Sequence, residues 1–214
     1  LFGTMAIHKF FCELSVDEQP FYRVDCSFGF FLPEAFLEQV GIDNGKSWVS
    51  WLTEHPQTQI STFELPQDET IIFSSETSQT LRRCSMMMEF LETAKLAKIG
   101  GSHDLGFAWG RKKINPHDWF YSCHFWCDPV MPGSLGVESM FQLLELLIVH
   151  NQIPEQLGLV SPRGVHDLGV TKWKYRGQIT PKTKSMEIEV HITKIQSVIG
   201  SHAIVIANGS LIAN

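Results

Sequence analysis

The chain has 214 residues, 43% of them hydrophobic and 19% charged, and a formal net charge of -6. That balance excludes a disordered chain, and the acidic sign argues against a general nucleic-acid binder. No run of about 18 apolar residues occurs, so no membrane-spanning helix is predicted.

Residues 1–46 come first. Ala6, His8 and Phe10 alternate with Ile7, Lys9 and Phe11, and residues 21–31 are rich in aromatic and β-branched side chains. Both stretches predict strands. Pro33 opens a short helical pattern through Phe36, Leu37 and Val40 that Gly41 can close. Asp43-Asn44-Gly45 is a turn signal. The start, Leu1-Phe2-Gly3-Thr4, has neither an initiator methionine nor a basic signal region. It reads as a cut from a longer polypeptide.

Residues 47–80 are expected to form a linker, because Ser, Thr, Gln, Glu and Pro dominate from Thr53 to Thr80. Trp48 and Trp51 predict that its start packs on something. Residues 81–214 read as one complete unit. Met86 to Ile99 fits a strand or a helix by periodicity. Asp104 to Ile114 predicts a strand, with Gly100-Gly101-Ser102 as the hairpin turn before it. Residues 184–195 alternate: Met186, Ile188, Val190 and Ile192 on one face, Glu187, Glu189, His191 and Thr193 on the other. Ala203, Val205 and Ala207 alternate with Ile204 and Ile206, and Asn208-Gly209 predicts a turn or bulge.

One segment differs from the rest. Residues 135–149 are long enough for four helical turns and apolar on nearly every side. A helix of that kind must be surrounded by protein. Strands before and after it predict an α+β architecture, a sheet wrapped around one central helix.

The approach to this helix carries the chemistry. Cys123-His124-Phe125-Trp126-Cys127-Asp128-Pro129-Val130-Met131-Pro132-Gly133 contains two prolines that fix a rigid turn. Gly133 has no side chain to block its own amide, and a free N–H at a helix start is a site for developing negative oxygen charge. His124 lies just before the turn. Glu138 is an ionisable group on the first full turn, where it serves either as a catalytic acid or as an ordinary N-terminal acid facing the helix dipole. A base, an oxyanion donor and an acid within fifteen residues suit proton abstraction next to a carbonyl. Cys123, His124, Cys127 and Asp128 do not read as zinc ligands, since no second pair follows at finger spacing. Pro132 stands where a nucleophile elbow needs glycine. Cys12, Cys26, Cys84, Cys123 and Cys127 form an odd set without a framework, as expected of reduced thiols in a cytoplasmic protein.

The run from Trp119 to Gln142 resembles the active-site segment of the bacterial β-hydroxydecanoyl-acyl carrier protein dehydratase/isomerase family. It is more similar still to the dehydratase regions of polyunsaturated fatty acid synthases. Met86-Met87-Met88 resembles the family's first strand, and Gly164 to Lys174 and Gly177 to Pro181 the strand and turn after the central helix. The resemblance implies a hot-dog fold, with residues 134–150 as its helix and Met86 to Ile99 as a strand. It implies that His124 is the catalytic histidine, Gly133 the amide that polarises the thioester carbonyl and Glu138 the acid. The dehydratase/isomerase has aspartate there, which puts isomerisation in doubt but not dehydration. Residues 21–46 resemble the end of a preceding hot-dog unit.

The expected activity is dehydration of a β-hydroxyacyl thioester. Val130, Met131 and Pro132 are expected at the substrate. No metal or organic cofactor is expected, because the substrate rides on the phosphopantetheine of an acyl carrier protein. That acidic partner would meet Arg163, Lys172, Lys174 and Arg176. A second hot-dog unit, in a homodimer or a fused pair, is the other expected partner, and Glu138 can serve either unit's histidine. The rival readings are an acyl thioesterase and a non-catalytic unit that supports an active neighbour.

Overall fold

The computed structural model describes residues 5–32, 34, 48–65, 70–71, 81–82, 86–158, 171–175, 177–198 and 202–214. They fall into two compact units, Leu1–Lys46 and Ser47–Asn214. In the first, β1 (Met5–Val16) and β2 (Gln19–Phe31) form an antiparallel hairpin from Met5 opposite Phe31 to Val16 opposite Gln19. Asp17 and Glu18 close it with φ of 48° and 62°. Two positive φ values give the reversed turn whose twist suits a hairpin. Phe10, Phe11, Phe21 and Phe28 are all exposed on it. The expected helix at residues 33–40 and turn at 43–45 lie outside the described residues, apart from a helical Glu34.

The second unit begins earlier than the sequence pattern suggests. Residues 48–65, expected as linker, carry the short helix α1 (Trp51–Glu54) and the strand β3 (Ser61–Glu64). The small pair β4 (Thr70–Ile71) and β5 (Leu81–Arg82) follows. β6 (Thr93–Ala97) and β7 (Phe107–Lys113) come next, then the central helix α2 (Gly133–His150), the short α3 (Ile153–Gln156), β8 (Ser185–Val198) and β9 (His202–Ala213). The main sheet is antiparallel in the order β3-β6-β7-β8-β9. Thus β3 is an edge strand of the sheet. Its polar composition, which reads as linker, is what an edge tolerates.

Two further elements differ from expectation. Met86–Met88 is a 3-10 turn, and the strand starts only at Thr93. Asn208-Gly209 does not interrupt β9. The irregularity lies on β8, between Ile192 and Lys194. Gly209 instead admits a close neighbour: a Cβ there would sit 2.7 Å from the Met140 sulfur of α2.

The core lies between α2 and the sheet. Leu143 and Leu147 of α2 are fully buried, against Leu96 and Ala108 and the inward row Met186, Ile188, Val190 and Ile192 of β8. Of the helix residues only Ser134 is exposed, as the all-round apolar pattern requires. The opposite face of β8 is not simply solvated. Glu189 is 4% exposed, because the residue 48–55 segment covers it. Ser50 Oγ and the Trp51 N–H donate to its Oε1 at 2.7 and 3.0 Å.

Candidate active site

The loop into α2 is built on backbone pairs. The Val130 N–H donates to the His124 carbonyl at 2.9 Å, and the Met131 N–H to the Ile179 carbonyl at 2.8 Å. Phe125 and Asp128 exchange N–H bonds at 2.9 and 3.1 Å, with Cys127 at φ 62° completing the turn. Val130 and Met131 are buried, and Met131 belongs to the core. These two apolar residues therefore anchor the loop. Phe125 and Trp126 stay exposed, Trp126 at 86%.

His124 is half-buried and fixed at one nitrogen. Its Nδ1 lies 2.9 Å from the Val130 carbonyl. A carbonyl only accepts, so Nδ1 carries the hydrogen. In the neutral ring that leaves a lone pair on Nε2, and Nε2 has no partner among the described residues. The protein thus presents a histidine with its basic nitrogen idle, the tautomer a proton acceptor needs.

Gly133 is the first residue of α2, with Pro132 as N-cap. Its N–H has no partner among the described residues. The dipole of an 18-residue helix adds partial positive charge at that point. Pro132 has no N–H to compete for an anionic oxygen.

Glu138 lies on the second turn of α2, not on the first as expected, because the helix already starts at Gly133, and it is held by Gln142, whose Nε2 donates to its Oε1 at 2.9 Å. Gln142 cannot flip its amide. Its other Nε2 hydrogen goes to the Met88 carbonyl at 2.8 Å, and its Oε1 accepts from the Phe90 N–H at 3.2 Å. This positioning residue escapes a reading of the sequence, although its place four residues after Glu138 puts both on one helix face. Glu145 extends that face. Burial raises its pKa, and the Glu138 carboxylate adds to the rise.

His124 and Glu138 share no hydrogen bond among the described residues. Lys172 and Lys174 are exposed, while Arg163 and Arg176 lie outside the described residues. A cavity of about 750 Å³ lies at the other end of α2, lined by Trp51, His55, Leu96, Ile99 and His150 among others.

A family model described as the FabA-like domain matches residues 84–214. The chain belongs to the FabA-like family. The antiparallel sheet around α2 is this family's hot-dog fold, and the matched stretch holds the His124 loop, Gly133 and Glu138. Edge strand β3 lies outside it. The chain is also similar to a polyunsaturated fatty acid synthase subunit of Thraustochytrium sp., with 41% identity over 203 residues. The alignment covers 92% of this chain and 14% of that protein. Among the described residues no helix is long and apolar enough to cross a membrane.

Proposed function

We propose that the FabA-like unit dehydrates β-hydroxyacyl thioesters to trans-2-enoyl thioesters. The idle Nε2 of His124 takes the α-proton. The Gly133 N–H receives the enolate-like oxygen. Glu138 protonates the departing β-hydroxyl, which leaves as water. The observation that carries this reading is the pairing, on one short loop, of a histidine oriented through Nδ1 with an N–H at a helix start that has no partner among the described residues. Base, donor and acid suffice for the elimination, so the scheme calls for no metal or organic cofactor.

The similarity to part of a polyunsaturated fatty acid synthase supports a place in such a synthase, with the substrate on the phosphopantetheine of an acyl carrier protein. Exposed Lys172 and Lys174 fit an acidic carrier. Membership of the FabA-like family supports pairing with a second hot-dog unit, with His124 and Glu138 working across the junction. The β1–β2 hairpin, with phenylalanines exposed along it, fits a part of a preceding unit. Free Cys12, Cys26, Cys123 and Cys127 fit a cytoplasmic setting.

The test is incubation of the full chain with a β-hydroxyacyl pantetheine thioester. The expected product is the 2-enoyl thioester, and a 3-enoyl product would add isomerisation. Release of free acid would make the protein a thioesterase instead. A folded chain that gives neither product would favour a supporting role.

A further inference from the structure

Gly133 raises a question that the backbone does not answer. Its φ lies outside the left-handed region, so alanine would fit the helix and favour it. The space beside it does answer. A Cβ at Gly133 would overlap the outer edge of the Tyr175 ring, at Cζ, Cε1 and the hydroxyl. Tyr175 thus lies directly on the α-carbon of the residue whose N–H is the proposed oxyanion donor. Its chain segment is tied to the same loop, since the Ile179 carbonyl accepts from the Met131 N–H.

The Tyr175 hydroxyl has no hydrogen-bond partner among the described residues. Burial around the ring raises its pKa, so it stays protonated and can only donate to an anionic oxygen. The residue as a whole is still 51% exposed, so an incoming thioester can reach it. A protonated hydroxyl beside an idle N–H makes a two-donor cradle for one oxygen.

We propose that Tyr175 is a second hydrogen-bond donor to the thioester carbonyl, beside the Gly133 N–H. The assignment rests on the dehydratase reading above. It also explains the glycine, whose missing side chain makes room for the phenol.

The test compares three single variants of the full chain on a β-hydroxyacyl pantetheine thioester, with thermal unfolding of each. Tyr175→Phe keeps the ring and removes the donor. It should lower kcat by about 10²-fold, the typical loss for one oxyanion donor, with KM and Tm nearly unchanged. Gly133→Ala keeps the N–H but displaces the phenol, and it should lower kcat similarly. His124→Ala is the control for the underlying reading. If His124→Ala is inactive while Tyr175→Phe turns over within about twofold of the unchanged chain, the Tyr175 assignment falls alone. If His124→Ala also turns over normally, the dehydratase reading falls with it.

Discussion

The two ends of α2 both carry histidines, and they use them in opposite ways. At the C-terminal end His150 is engaged at both nitrogens. Its Nδ1 lies 2.9 Å from Asn151 Oδ1 and its Nε2 3.1 Å from Ser61 Oγ. Nearby, His191 Nδ1 accepts from the Ser102 N–H at 3.2 Å while its Nε2 stands 3.7 Å from Glu189 Oε2. His150 ties β3 to α2, and His191 ties the 100–106 turn to β8. At the N-terminal end His124 uses one nitrogen to fix its own orientation, and its other nitrogen has no partner among the described residues. Beside it the Gly133 N–H is unpaired among the described residues. Satisfied polar groups hold a fold together, whereas oriented but unsatisfied ones are available for chemistry. The residue type is the same at both ends, and the hydrogen-bond accounting separates the roles.

Three substitutions sharpen this contrast. Glu138→Gln at the N-terminal end keeps size and hydrogen bonding but delivers no proton. It should cut the single-turnover dehydration rate by about 10²–10⁴-fold and leave Tm nearly unchanged. A normal rate would move Glu138 to a purely structural role. Glu189→Ala at the far end should do the reverse. It strips the acceptor from Ser50 and Trp51 and should cost about 2 kcal/mol in denaturant unfolding, with kcat of the folded protein retained. An unchanged midpoint would mean that α1 is not held by this carboxylate.

The smallest effect belongs to Glu145, midway along the helix. Its pKa is raised from 4.5 by burial and then by Glu138. The folded state therefore holds this proton more tightly than the unfolded state, and stability falls as pH rises from the ordinary carboxylate range through the raised value. Glu145→Gln should give a small gain in Tm at neutral pH that vanishes below pH 4.5. A gain of equal size at all pH values would contradict the titration as its cause.

Much of this is legible in the sequence, and the failures have physical reasons. The apolar run of residues 135–149 has only one home, inside a sheet, and α2 occupies it. The inward row of β8 follows from its alternation. The outward row misleads. Glu189 and His191 look solvated by pattern, yet a segment distant in sequence covers them. That same segment looks like linker, because an edge strand and a capped turn need little apolar composition. In the site, His124, Gly133 and Glu138 stand out by chemical type and spacing. Gln142 and Tyr175 do not, since a role that consists of holding a neighbour or filling its missing side chain leaves no mark on the chain. The idle nitrogen of His124 is likewise a fact of tertiary structure.

The most direct test sets His124→Ala beside His150→Ala, measuring single-turnover dehydration and thermal unfolding for both. His124→Ala should lose about 10²–10⁴-fold in rate with no more than about 1 kcal/mol of stability, the value of one hydrogen bond. His150→Ala should keep its rate when folded and show the larger drop in Tm. Near-normal dehydration by a folded His124→Ala protein would contradict the account.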